Sequence, residues 1–222
     1  MLGAIKTKRT TRSAAIMDAY KVKLVHPGSS VPVIFDAAPD ISESGQVTYR
    51  TVDPLHSPGG IQVYTNTSSR TFTLSGVKLF SRNQVEATYN YNRLMMLKGW
   101  RYPNFGATPA EDTLYGQQQL GQPPAVLEFS AYAQPVSNGT MANGLIHRIP
   151  VVITSLSINY PTDCDYIPTV HIDNDLSVSH IPSGIPFPTI MPIEITLTED
   201  HSPSQYSKFS LSDFRRGRMV GF

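Results

Sequence analysis

Charge is scarce in this chain. Lys, Arg, Asp and Glu make up 16% of its 222 residues, against about 25% in an ordinary globular domain. The balance is close to zero, at +1, so no bulk field draws the chain to nucleic acid or to a membrane surface. Low net charge also leaves little repulsion between copies, which favours permanent association. There is one cysteine, Cys164, so no disulfide forms within the chain. It reads as a small, partly buried thiol, because no motif supplies the histidine partner of a nucleophile. Long apolar runs are missing, and nothing approaches the ~20 residues of a membrane span. Residues 1–19 carry Lys6, Lys8, Arg9 and Arg12, but their longest apolar run is Ala14 to Met17. That is too short for a secretory leader, so synthesis in a cytoplasm is expected.

The signatures of common chemistry are missing as well. There is no GxSxG, no GxxxxGK[ST] and no CxxC. Pro58-Gly59-Gly60 is followed by no helix and so cannot cradle a phosphate. The histidines His26, His56, His147, His171, His180 and His201 never stand at i, i+2 or i, i+4, and none belongs to an HExxH helix. His171, Asp173 and Asp175 could meet a cation on one loop; solvated loop polars are the plainer reading. Asp163 and Asp165 flank Cys164, and Glu111 adjoins Asp112, yet each pair lies in a turn without a cleft partner. The expectation is a non-enzyme, with no catalytic residue, no cofactor and no metal.

What the chain does have is strands, turns and one helix. Eighteen prolines and 15 glycines give many turns and long loops. Tyr20–His26, Val31–Phe35, Gln46–Val52, Ile61–Thr65 and Arg70–Phe80 read as strands, and so do Ala125–Tyr132, Leu145–Tyr160 and Thr189–Glu199. Residues 36–45 read as loop. The stretch 65–69 reads as the turn of a hairpin joining the strands on either side of it. Gly76 marks a bulge or a close backbone approach. In the strand from Leu145, Val152, Thr154, Leu156, Ile158 and Tyr160 are expected on one face, and Pro150 at its start or on an edge. In the last strand Ile193, Ile195 and Leu197 oppose Glu194, Thr196 and Thr198. Ser81 and Gln84 fit a capping box for a helix over about 82–98, ended by Gly99 in the left-handed position and by Pro103. Its apolar face is Ala87, Tyr91, Leu94 and Met95, widened by Met96 and Leu97. Tyr89, Tyr91 and Trp100, in or beside that helix, read as core packing.

The organisation is then an N-terminal arm at 1–19, a β domain at 20–201 and a C-terminal arm at 202–222. The first arm reads either as a solvated tail or as a segment ordering on a neighbour through Leu2, Ile5, Ile16 and Met17. In the second, Arg215, Arg216 and Arg218 interleave with Phe209, Leu211, Phe214 and Phe222, a pattern suited to docking on protein. The loops 104–124 and 161–188 exceed the ~12–15 residues beyond which loops are usually functional or contact-making.

The helix region LFSRNQVEATYNYNRLMMLKGWRYPNFG (79–106) resembles that of tail-tube-like baseplate proteins of contractile-tailed bacteriophages. An aromatic-Ser-Arg strand end leads into a helix with Glu and Asn-Tyr-Asn, then LKGW and Pro-x-Phe-Gly. PAVLEFSAYA, IPVVITSLSINYPTDCDYI and PTIMPIEITLTEDHSP are similar to the closing strands of that family, with its Tyr-Pro-x-Asp-x-Asp-Tyr turn. Together these cover Arg70 to Pro203. The resemblance implies a mainly β fold, two antiparallel sheets packed as a sandwich or barrel with one flanking helix. It implies a homo-hexameric ring at the tube–baseplate junction of a virion, capping the hub and initiating the tail tube. The implied partners are copies of the chain, the tail tube protein, the baseplate hub and neighbouring baseplate or sheath proteins. Genome DNA would pass the lumen without specific binding, along a wall of Glu194, Thr196 and Thr198 or their neighbours. The family carries no catalytic residues. Alternatives are another tail or neck ring, such as a tube or terminator protein, and a receptor- or carbohydrate-binding β-sandwich.

Overall fold

The computed structural model describes residues 21–28, 31–56, 58–103, 121–133, 144–219 and 222. Among them the fold is mainly β, with one seven-stranded antiparallel sheet, two two-stranded sheets and three helices. The strands are β1 (Lys23–Val25), β2 (Val33–Ile34), β3 (Asp40–Ser44), β4 (Val47–Val52), β5 (Ile61–Thr67), β6 (Thr71–Phe80), β7 (Leu127–Ala133), β8 (Gly144–Ile158), β9 (Tyr166–Pro168), β10 (Pro186–Pro188) and β11 (Ile190–Glu199). The large sheet runs β2-β1-β7-β8-β11-β6-β3; β9 pairs with β10, and β4 with β5.

β11 shows the rule the sheet follows. Met191, Ile193, Ile195, Leu197 and Glu199 are buried, and the residues between them face outward. This is period-2 alternation without a fault. Its neighbours keep the same face only by changing phase. In β6, Phe72 and Leu74 are buried, then Val77 and Leu79. The switch occurs where Ser75 and Gly76 oppose Glu194 alone, with Gly76 at φ 68°. That is the bulge expected from the sequence, and without it Val77 and Leu79 would point to solvent. β8 switches twice: at Thr154, left over between Ile153 and Ser155 in the pairing with β11, and at His147–Arg148, where Arg148 has φ 52°.

Three bulges bend the sheet. β6 and β7 are separated by β8 and β11, so in a flat sheet they would lie about 14 Å apart. Yet the rings of Phe72 and Phe129 are 5.4 Å apart, centroid to centroid. The sheet is therefore strongly curled, and its concave face holds a single core that includes Leu24, Phe35, Leu127, Ile149, Ile195 and Leu197. Each such side chain stabilises the fold by about 1.5–3 kcal/mol relative to leaving it in water.

Helix α1 (Gln84–Gly99) closes part of that core, touching β2, β6, β9 and β10. Ala87, Leu94, Met96 and Leu97 are buried and Tyr91 meets Phe187 edge-on. Polar residues dock it too. The Asn90 amide donates to the Phe80 carbonyl at 2.7 Å and to the Ser81 hydroxyl at 3.0 Å, and the Asn92 amide donates to the Ser177 carbonyl at 3.1 Å. The Thr88 hydroxyl accepts from the Val170 backbone N–H at 3.0 Å. Met95, expected in the apolar face, is instead 37% exposed.

Several other expectations need correction. The cap is Asn83, which accepts from Glu86 N–H at 2.8 Å, while the Glu86 carboxylate accepts from Arg82 N–H. Ser81 is buried and serves Asn90 instead. The helix ends at Trp100 in a right-handed conformation, not at a left-handed Gly99. Residues 40–44 are strand, not loop. Ile61–Thr67 pairs with β4 rather than with β6. Pro150 sits within β8, but its carbonyl accepts from Asp200 N–H, just past the last residue of β11, so the N–H that proline lacks faces the end of that neighbour. Because of the Thr154 bulge, Ile153 is buried and Leu156 and Ile158 are half-buried, so the expected single parity from 152 to 160 does not hold.

Candidate assembly interface

β3 and β6 pair with Ser44 opposite Thr71, and β4 and β5 pair with Val47 opposite Thr67. Between them Ser68 N–H donates to the Gln46 carbonyl at 2.8 Å. The four strands are thus one antiparallel ribbon. Its root, β3 and β6, belongs to the sheet; its outer part, residues 45–69, runs on past the body. Six residues of β4 at about 3.4 Å each make an extension of roughly 20 Å.

Every described residue from Ser42 to Ser69 is exposed. The ribbon alternates as a strand should, but no described residue covers either face. Val47, Tyr49 and Tyr64 share one face, and Val52, Ile61 and Val63 share the other. Tyr49 is 55% and Ile61 56% exposed, and Leu55 at the tip reaches 93%. Local pairs hold the register. The Tyr49 and Tyr64 rings meet edge-on at 6.0 Å, and Thr51 and Gln62 exchange hydrogen bonds at 2.9 and 3.1 Å. Such contacts set geometry but bury little. A two-stranded ribbon with no third strand or helix against it is at best marginally stable in water. The outer edges of β3, β4 and β5, and that of the two-residue β2, are unpaired among the described strands. Unpaired N–H and C=O rows of this kind are templates for another chain.

The root is held by charge. Arg70 donates to both oxygens of Glu199, at 3.0 and 2.6 Å, and to Glu43 on β3 at 3.1 Å. Burial pushes the Glu199 carboxyl up, but the hydrogen bonds and charge of Arg70 outweigh it, and its pKa lies below the usual carboxylate value. Burial likewise works against the Arg70 cation, and the two glutamates more than offset it. His201 Nε2 stands 2.6 Å from Glu199 Oε1. Sequence reasoning missed this cluster, although Glu199 shares the parity of Ile193, Ile195 and Leu197. A carboxylate on the buried face of a strand requires a partner.

The residues weighed for chemistry are dispersed. His171 stands 3.2 Å from Asp173, both exposed. Asp175 turns away, accepting from the Ser177 hydroxyl at 2.6 Å and the Tyr89 hydroxyl at 2.7 Å; these bonds hold its carboxyl below the usual range. No three His, Cys, Asp or Glu side chains among the described residues gather as a metal would need. Asp163 and Asp165 are exposed around a half-buried Cys164. Glu111 and Asp112 lie outside the described residues, as do segment 1–19 and most of loop 104–124. A cleft of about 530 Å3 beside the helix start is lined by Asp36, Phe80, Arg82, Glu86, Asn90 and Arg93, among others. Several of its polar groups seat the helix: Arg93 bonds Asp36 at 2.8 Å and Asn90 at 3.0 Å. Trp100 is buried, and Tyr91 packs against the core.

Glu194, Thr196 and Thr198 stand on the face opposite the core, as their alternation requires. There the Thr154 hydroxyl donates to the Thr196 carbonyl at 3.2 Å, and exposed Ser155 and Ser157 continue a hydroxyl-rich surface. Loop 161–188 contains β9 and β10, and residues 202–222 contain α2 (Pro203–Tyr206) and α3 (Leu211–Arg215). Arg215, Arg216 and Arg218 are exposed, the last 3.7 Å from Asp213. No helix among the described residues is long and apolar enough to cross a membrane. Comparison with protein-family models and with curated proteins finds no match to either.

Proposed function

We propose that the chain is a structural protein of a phage tail baseplate. Six copies would form a ring at the tube–baseplate junction of the virion, cap the hub and start the tail tube. One observation carries this reading: a ribbon apolar on both faces, extending about 20 Å beyond the body with no described residue covering either side. Such a ribbon is stable once neighbouring copies cover its faces or pair with its edges. The curled sheet would then be completed by adjoining subunits into the closed sandwich or barrel of a tube. The hydroxyl-rich face of Glu194, Thr196 and Thr198 suits a lumen that DNA passes without being held. Tail tube protein, hub and neighbouring baseplate proteins would meet the rims of the ring. The reading is non-enzymatic.

The test is mass photometry of the purified chain, followed by cryo-EM of particles. Rings at six times the 24.5 kDa chain mass are expected, with the ribbon in the subunit contact. A chain that stays single at micromolar concentration and is absent from tail particles contradicts the reading. A second reading, a carbohydrate-binding module, draws on the exposed Tyr49–Tyr64 pair. Those rings stand at 75° to each other, which offers no flat sugar platform. Specific signal on a glycan array would favour it.

A further inference from the structure

The ribbon root and the C-terminal segment meet at one buried cluster. The body of the fold ends at Asp200, whose N–H donates to the Pro150 carbonyl at 2.9 Å. Beyond it the chain curls through α2 and α3 and comes back, so that Phe222 stacks on the His201 ring at 4.3 Å and 19°. Tyr206 meets the same imidazole edge-on at 5.5 Å, and Phe209 packs on Phe222 at 5.2 Å. Among the described residues of 202–222 the backbone hydrogen bonds close within the segment, for example Arg218 N–H to Asp213 at 2.9 Å and Phe222 N–H to Met219 at 3.2 Å. The segment is thus a small closed unit, seated by its aromatic rings on His201.

Beneath the imidazole the contacts continue without a gap. His201 Nε2 and Arg70 Nη2 share Glu199 Oε1, each at 2.6 Å. Glu199 Oε2 accepts from Arg70 Nε at 3.0 Å and from the Arg70 backbone N–H at 3.3 Å. Arg70 Nη1 goes on to Glu43 of the edge strand. A line of direct contacts therefore runs Phe222, His201, Glu199, Arg70, Glu43, from the tip of the segment to both strands of the root. The His201 and Glu199 side chains are 2% and 7% exposed. Water does not compensate a broken link there, so losing the His201 contact is felt at Glu199 and Arg70, while the outer link to Glu43 is open to water, its side chain 47% exposed.

We propose that residues 202–222 are a releasable strap, and that its seating on His201 fixes the direction of the ribbon through Glu199 and Arg70. Two observations say the strap is poised rather than locked. His201 Nδ1 is buried without a hydrogen-bond partner, a cost relieved when the strap lifts and water enters. Phe209, Leu211 and Phe214 remain 41–53% exposed with the strap seated, so its burial on this body is incomplete. Seating and ribbon order are then two readings of one equilibrium, and the coupling is reciprocal. Whatever grips the ribbon holds the strap down, and whatever takes the strap frees the ribbon. This goes beyond the ring reading and holds for a single chain in solution.

Hydrogen exchange of the full chain tests it, with two variants. Phe222→Ala unseats the strap; His201→Phe keeps an aromatic seat but removes the bond to Glu199. In both, exchange at the root, residues 43–46 and 68–71, is expected to quicken about tenfold, a typical coupling between sites. In His201→Phe the strap amides between 205 and 218 keep their rate, and in both variants β8 and β11 keep theirs. Root exchange at the wild-type rate in either folded variant overturns the proposal. So does uniform quickening across the whole sheet, which would signal general destabilisation.

Discussion

β11 and β5 carry the same kind of sequence to opposite fates. In β11, Ile193, Ile195 and Leu197 alternate with Glu194, Thr196 and Thr198, and the apolar set is buried. In β5, Ile61, Val63 and Tyr64 alternate almost as well, and every residue is exposed. Period-2 patterning makes a strand in both places, but it does not say what covers the strand. Within the body the cover is a curled sheet and α1. On the ribbon no described residue supplies it, and the proposed cover is another copy of the chain. The difference separates a part of the chain buried in its own core from a part that, on the proposed reading, is buried by assembly.

Substitutions can break that contrast, and the largest effect belongs to the body. Ile195→Asp places an unpartnered charge at a fully buried position paired with Leu74 and Leu156 and is expected to abolish soluble folding. Ile61→Asp at a similar pattern position should leave the melting temperature of the single chain, compared at concentrations below ring formation, unchanged within the ~0.5 kcal/mol typical of surface changes. Melting curves for the two check it, and equal losses would erase the distinction.

Acid should act next, at the boundary between the two regions. The Glu199 carboxyl is depressed in the fold, so its contribution to stability is fully present above the ordinary value of 4.5 and is lost as pH falls through the lower folded value. Melting temperature should therefore drop below about pH 4.5, and Glu199→Gln should flatten part of that drop. The same acid slope in both proteins would show that Glu199 is not the group responsible. Gly76→Ala comes third. A side chain there meets open space, its nearest neighbour being Asp40 at 3.9 Å, but it must adopt φ 68°. The cost should be about 1–2 kcal/mol, seen as a fall of a few degrees in melting temperature. An unchanged melt would mean the bulge relaxes when glycine is lost.

These contrasts also mark how far the sequence is legible. β6, β11 and the helix stand out because each buries a regular apolar set, and Gly76 announces its bulge. The Thr154 bulge does not, since threonine is ordinary in a strand and only the partner's register reveals the extra residue. The helix start has two overlapping capping frames, Ser81 with Gln84 and Asn83 with Glu86. Tertiary structure decides between them, because Asn90 takes the Ser81 hydroxyl. The ribbon is hidden for a related reason. The stretch 65–69 has turn-like composition, yet β5 passes straight through it into β6, and the reversal lies at the Pro-Gly-Gly cluster instead. Arg70, Glu43 and Glu199 are far apart in sequence, and only the fold brings them together.

The most direct measurement is mass photometry of the wild-type chain beside an Ile61→Asp, Val63→Asp variant, with melting curves of both. Wild-type rings of six chains, and single variant chains that still melt cooperatively, are expected, the variant melting lower only by what ring formation adds to the wild type. Rings that form equally well in the variant, or a wild-type chain that never associates while its ribbon stays soluble and ordered, would contradict an assembly role for the ribbon.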